Sequence, residues 1–273
     1  GFKTFYQNQH WWHGKDRYHH IDLPKLAEGI IQNKKRLMCG FGNEYSMGGV
    51  VIDKDFGAGL PGLYAAGEVT VGVFGAFRSG DGLTEMLAHG RAAGKNAALY
   101  ARQARQLEPE NTAQALDRLL APTQRRQGVS PLEAWKKLES ICEEGFGFIR
   151  DGQRLQKAYE QICELRASLE EMAAPGSRQY NLEWINSVLV RNLALCAEIG
   201  IRSALDRKES RGCHLRADEP QVDNQQYLFS WQAYLEEGQP VYEKAAPRAP
   251  YLPLDTKNYP SVLDCIADTI LGG

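Results

Sequence analysis

The sequence predicts an α/β portion followed by an α-helical domain. A short apolar run bounded by glycines, from Gly62 to Val69, reads as a buried strand that ends on the carboxylate of Glu68. A glycine-rich loop with a lone arginine, Arg78, runs from it into a helix opening at Gly82–Leu83. Beyond residue 108 apolar residues recur at spacings of three and four, the period of packed helices. Four regions follow: 1–40, 41–107, 108–206 and 207–273.

Leu23 to Ile31 has a proline near its start and helical spacing, which predicts a short helix. Val50 to Asp53 reads as a short strand and Lys54 to Gly59 as a turn. One helix is expected from Gly82 to about Leu107, with Ala92, Ala93, Ala97 and Ala98 along it. Leu116, Leu119 and Leu120 mark a short helix, and Ser130–Pro131 opens another through Ile141. Leu155, Ala158, Ile162, Leu165, Leu169 and Met172 lie on one helical face. Pro175–Gly176–Ser177 breaks that helix, and Ile185, Leu189, Asn192, Cys196 and Ile199 repeat the pattern, giving a helical hairpin. Tyr227 to Leu235 and Pro240 to Tyr242 flank Glu237–Gly238 as a β-hairpin, and the proline-rich tail from Ala245 to Pro260 is expected to run extended.

The chain is 273 residues long, with 43% hydrophobic and 24% charged residues, enough for one or two domains. A formal net charge of -2 argues against a nucleic-acid partner held by bulk electrostatics. No apolar run approaches the ~20 residues of a membrane span, and the start, Gly1 to Tyr6, does not read as a signal peptide. The six cysteines are scattered without a paired C-x-x-C, as in a reduced cytoplasmic protein, so an iron–sulfur cluster of its own is not expected.

Strand, acid, small-residue loop and helix N-terminus together make a surface for an anionic, hydroxyl-bearing ligand. The acid can accept hydrogen bonds from ribose hydroxyls, and the helix end offers N–H groups and positive potential. On these residues alone, an ordinary strand–turn–helix unit is an equal reading. Gly57 to Gly62 matches G-x-G-x-x-G, but Pro61 lies inside it and a strand follows, so it reads as a turn and not a phosphate loop. His10, His13, His19 and His20 stand among Trp11, Trp12 and Tyr18. Without a helical pair of histidines they read as an aromatic loop packing on a neighbour, with a metal site as the weaker alternative.

Three ordered motifs carry a family resemblance: Tyr45–Ser46–Met47–Gly48–Gly49–Val50–Val51, Pro61–Gly62–Leu63–Tyr64–Ala65–Ala66–Gly67–Glu68, and Arg207–Lys208–Glu209–Ser210–Arg211–Gly212. Over about Asn43 to Asp223 the chain resembles the flavoproteins of fumarate reductase, succinate dehydrogenase and L-aspartate oxidase, with adenylylsulfate reductase a more distant branch. The resemblance implies the C-terminal half of an incomplete Rossmann-like FAD domain over 41–107, after the return segment of a cap domain over 1–40. It implies FAD contacts from Met47, Gly48, Gly49, Glu68, Gly82 and Leu83. It implies that Arg78 binds a substrate carboxylate as a guanidinium can, with Glu44, Ser46 and Arg216 beside the substrate and His214 as a second catalytic candidate.

Three departures bear on the substrate. Glu44 stands where the family has a substrate-binding histidine and would repel a dicarboxylate; Phe77 replaces the asparagine before the arginine; and His10, Trp11 and Arg17 occupy the segment where the fumarate reductase branch carries its catalytic arginine. The phosphate loop of the N-terminal half is not in this sequence. The implied function is hydride transfer between flavin and a carboxylate-bearing substrate, completed by an N-terminal nucleotide-binding half or upstream flavoprotein chain and an iron–sulfur electron-transfer subunit. The alternative is a subunit-docking module with no chemistry of its own.

Overall fold

The helical periodicity of residues 130–206 builds the core. The computed structural model of the chain describes residues 32, 45–70, 82–104, 112–247 and 253–271. The chain divides into two compact units, residues 1–46 and 47–273. Of the first only Gln32, Tyr45 and Ser46 are described, and the expected helix at Leu23–Ile31 and the histidine-rich segment lie outside the described residues.

In the second unit, α1 spans Gly82–Gln103, α2 Thr112–Gln124, α3 Pro131–Gly145, α4 Gly152–Ser168, α5 Leu182–Asp206 and α6 Val262–Leu271. Three helices begin on side-chain caps. Ser130 Oγ accepts from the Glu133 amide, Asp151 Oδ1 from Arg154 and Asn181 Oδ1 from Trp184. Each cap satisfies a donor that a helix start leaves open and contributes about 1 kcal/mol.

α3, α4 and α5 pack around Leu138, Ile141, Leu155, Ile162, Leu165, Val190, Ala194 and Ile201. α3 and α4 approach closely at Gly145, where an added Cβ would lie 2.4 Å from the Ala158 Cβ. Arg166 of α4 pairs with Glu198 of α5, and the Glu198 side chain is 6% exposed. Burial of an unpaired carboxylate there would be costly, so the pair fixes how the two helices face each other.

The hairpin formed by α4 and α5 is the one the sequence predicts, but α5 buries a different face. Ser187, Val190, Ala194, Glu198 and Ile201 are buried, whereas Ile185, Leu189 and Cys196 are exposed. Both faces of α5 are apolar at helical spacing. Periodicity therefore identified the helix without identifying its inner side.

Strands are few. β1 (Ile149–Arg150) pairs in parallel with β2 (Leu215–Arg216), and β3 (Ser230–Glu236) pairs antiparallel with β4 (Gln239–Ala245). Glu237 and Gly238 make the β3–β4 turn with φ of 50° and 79°, the two left-handed residues a tight hairpin needs. The expected strands at Val50–Asp53 and Gly62–Val69 do not form ladders. Val50 bridges Thr70, Tyr64 bridges Gly57, and Gly67–Val69 closes into a 3-10 turn. A strand becomes a ladder only when its backbone finds a neighbour on the next edge. Leu60–Leu63 is a turn closed by the Leu63 amide on Leu60 O, with Gly62 at φ 83°, as its proline and glycine require. Among the described residues no helix is long and apolar enough to cross a membrane.

The face assignment of α5 is testable by urea unfolding. Ile201→Ala, on the buried face of α5, is expected to cost about 2–5 kcal/mol. Leu189→Ala, on the outer face, is expected to change stability by no more than about 0.5 kcal/mol. Equal losses for the two variants would contradict the packing described.

Candidate functional site

The Glu68 turn and the start of α1 form one structure. Gly67 has φ 77°, and an added Cβ would stand 2.9 Å from Met86 Cγ in the second turn of α1. Only glycine lets the backbone press this closely on the helix. The neighbouring turn closes through the Thr70 amide and Thr70 Oγ1, both donating to Gly67 O at 3.0 and 2.8 Å. Thr70 is 1% exposed. On the other side, the Val50 amide donates to Val69 O at 2.8 Å, and a Cβ on Gly49 would lie 2.4 Å from the same oxygen. Gly48–Gly49, Glu68 and the first turns of α1 therefore gather around one short turn.

Within this patch Glu68 is exposed, Gly82 half-buried and Leu83 72% exposed. A carboxylate on an outward turn beside a helix N-terminus suits a ligand with hydroxyls to donate and negative charge to place at the helix end. The close backbone contacts at Gly49 and Gly67 keep side chains out of the cradle. The chemistry of these groups, an exposed carboxylate acceptor and helix N–H donors, suits a flavin nucleotide.

Sequence reasoning missed an acid behind the patch. Glu85, in the first turn of α1, is 3% exposed. His89 Nδ1 lies 3.8 Å from its carboxylate, and the Phe56 ring centroid lies 4.9 Å from that of the imidazole. The four-residue spacing of Glu85 and His89 was the available signal.

Of the other residues predicted from sequence, Glu44 and Arg78 lie outside the described residues, as does Phe77. Ser46 ends the first unit. Met47 is 44% exposed at the start of the second.

The structure places His214 and Arg216 in a different network, around the completely buried Glu209. Arg211 grips both oxygens of Glu209 through Nε and Nη2 at 2.8 and 2.9 Å, and Arg207 Nη1 donates to Oε1 at 2.5 Å. Arg207 also donates to the carbonyls of Tyr227 and Phe229, and Arg211 to Asn224 Oδ1, tying the end of α5 to the start of β3. Arg216, 4% exposed, forms a two-point pair with Asp218 and donates to the carbonyls of Ala204 and Arg207. Hydrogen bonding to Arg216 holds the Asp218 carboxyl well below the usual carboxylate range.

His214 Nδ1 lies 2.9 Å from Arg150 Nη1 and Nε2 lies 3.2 Å from Arg207 O. The guanidinium can only donate and the carbonyl only accept, so the ring carries its proton on Nε2. Burial lowers the pKa of His214 to about 4, and the cations Arg150, Arg216 and Arg207 push the same way against the hydrogen bond to Arg207 O. Among the described residues no hydrogen bond joins His214 or Arg216 to the Glu68 turn.

The profile described as "FAD binding domain" matches residues 17–83, and "Fumarate reductase flavoprotein C-term" matches residues 135–260. The fumarate reductase flavoprotein subunit of Haemophilus influenzae is 30% identical over 268 residues, covering 89% of this chain and 44% of that protein. The L-aspartate oxidase of Yersinia pestis is 31% identical, covering 74% of this chain and 37% of that protein. Among solved structures, Mycobacterium smegmatis Sdh1 in complex with UQ1 superposes with a TM-score of 0.71 at 28% identity, over 84% of this chain and 38% of that one. Adenylylsulfate reductase from Archaeoglobus fulgidus shares the fold, with a TM-score of 0.53 at 18% identity.

Fold and site define a portion of a flavoprotein, and the cofactor these matches indicate is FAD. The chain belongs to the fumarate reductase, succinate dehydrogenase and L-aspartate oxidase flavoprotein family and corresponds to its C-terminal part. It spans less than half the length of the relatives it matches.

The depressed pKa of His214 sets a sign. Between the unfolded value of about 6.5 and the folded value of about 4, the unfolded chain binds the extra proton, so stability is full above that window and falls as pH drops through it. The slope from this one group is at most about 1.4 kcal/mol per pH unit. Denaturant unfolding at pH 7 and pH 4.5 is expected to show a smaller pH difference in His214→Gln than in the natural chain; an unchanged difference would contradict the assignment.

Proposed function

We propose that this chain is the C-terminal part of an FAD-dependent oxidoreductase in which hydride passes between the flavin and a carboxylate-bearing substrate. The observation that carries this reading is the contact of the Gly67–Val69 turn, which bears Glu68, with Met86 in the second turn of α1. In this reading Glu68 accepts from a ribose hydroxyl of FAD. Gly82 and Leu83 present the helix end to the flavin pyrimidine, and Met47, Gly48 and Gly49 line the approach. FAD supplies the hydride chemistry when bound, and Arg78 grips a substrate carboxylate.

His214 and Arg216 act in this proposal by positioning. Their ring and guanidinium groups are committed to Arg150, Arg207 and Asp218. The carboxylate of Glu44 disfavours a dicarboxylate substrate, a point on which this chain departs from fumarate reductase. The rest of the flavin site comes from an N-terminal nucleotide-binding half, and electrons are exchanged with an iron–sulfur subunit. The Haemophilus influenzae relative's name as a flavoprotein subunit supports a partner subunit, and the share of its length lying outside this chain supports the N-terminal half.

A second reading has its own observation. Tyr180 is fully exposed at the tip between α4 and α5, and Leu182, Ile185, Leu189 and Leu193 continue an exposed apolar stripe along α5. A protein that serves only to dock other subunits would carry such a surface.

Flavin titration of the assembled flavoprotein, followed by visible absorbance, separates the two. Glu68→Ala is expected to weaken FAD binding about 10- to 100-fold, the effect of losing a hydrogen bond to a charged group. Unchanged affinity, or no flavin in the natural assembly, would favour the docking module.

A further inference from the structure

The first two turns of α1 hold a pair of titratable side chains that the proposed function does not use. The Glu85 side chain is fully buried, and that of His89, one helical turn on, is 12% exposed. His89 Nδ1 lies 3.8 Å from Glu85 Oε1 and, among the described residues, is buried without a hydrogen bond. The imidazole is held in this place by the turn before it. The Phe56 ring packs on it with centroids 4.9 Å apart. Phe56 takes φ 68°, a costly backbone conformation for a bulky residue. Its turn is fixed by Asp53 Oδ1, which accepts from the Asp55 and Gly57 amides, and by Asn96 of α1, whose Nδ2 donates to Asp55 O.

Magnitudes decide which charge this pair must carry. Aligned peptide dipoles give a helix start about half a positive charge. A lone Glu85 carboxylate brings a full negative charge to the same turn and would reverse the sign. An anionic cofactor end would then meet a negative helix start. The other charged groups among the described residues here are Asp53, Lys54, Asp55 and Glu68 on the adjoining turns and Arg91 and Lys95 on α1, all exposed. Water screens such charges far more than it screens a buried pair. His89 is the base that the structure sets against Glu85.

We propose that His89 is held as an imidazolium against the Glu85 carboxylate, and that the pair keeps the start of α1 electropositive toward the reduced, anionic flavin. Both are positioning residues, since they act on the cofactor through the field of the helix end and not by touching it. The pair is neutral as a whole, so the half-charge of the helix start is left to face the cofactor. Without the imidazolium, the Glu85 charge would favour oxidised over reduced flavin. The inference deepens the flavin reading given above and rests on it.

Two measurements on the assembled flavoprotein test it. Nitrogen NMR of labelled histidine at pH 7 is expected to show both ring nitrogens of His89 protonated in the natural chain and only one in Glu85→Gln. A neutral imidazole in the natural chain would overturn the proposal without recourse to any variant. Midpoint potentials of bound and free FAD give the ratio of affinities for the reduced and oxidised cofactor. His89→Phe, which keeps an aromatic ring against Phe56, is expected to lower this ratio about 10-fold. Adding Glu85→Gln to that variant is expected to restore it, a rescue that a mere packing role for His89 does not allow. Flavin bound with the ratio unchanged in His89→Phe, or lowered and not restored in the double variant, would sink this inference alone. No flavin in the natural assembly would sink the flavin reading, and this role of the pair with it.

Discussion

The contact between Gly67 and Met86 is the constraint on which the flavin-binding portion depends. Gly67 brings no side chain of its own to this contact, so the turn bearing Glu68 packs against Met86 in the second turn of α1. Any side chain at position 67 would have to displace Met86 and would also meet an unfavourable backbone conformation. Thr70 and Gly49 reinforce the same turn from either side, one by hydrogen bonds and the other by close approach. The resulting surface is shaped by backbone, which suits a ligand recognised through its hydroxyls and charge.

The second organising feature is the buried carboxylate of Glu209 between two guanidiniums. A charge removed from water needs paired, hydrogen-bonded partners, and here it has Arg207, Arg211 and the Asp223 amide. Each partner belongs to a stretch that also holds something else. Arg207 reaches the start of β3, Arg211 reaches Asn224, and Asn224 Nδ2 donates to Lys257 O in the tail. This explains why a polar, charge-dense motif sits at the end of a long helix without standing open to solvent. The Arg207–Gly212 motif, one of those that mark the family, thus carries structure in this chain.

Much of this was legible in the sequence. The helices from 112 to 206 and the β3–β4 hairpin follow from spacing, caps and turn residues, each a local rule acting on local residues. What was not legible depends on distant contacts. The inner face of α5 could not be read because Leu189 and Val190 are equally apolar, and packing against α3 and α4 selects the latter. The run at Gly62–Val69 has the composition of a buried strand, yet its second edge has no partner among the described residues and Glu68 falls in a turn. His214 and Arg216 carry polar groups typical of a catalytic site, and only coordinates reveal that those groups are already engaged. α6 went unrecognised behind the proline-rich tail that precedes it.

The most direct test of the account is an experimental structure of the assembled flavoprotein with FAD bound. The account predicts the Glu68 carboxylate within hydrogen-bonding distance of a ribose hydroxyl and the Gly82–Leu83 backbone at the pyrimidine edge of the flavin. FAD held elsewhere, with the Glu68 turn and the start of α1 facing solvent or another subunit, would contradict it.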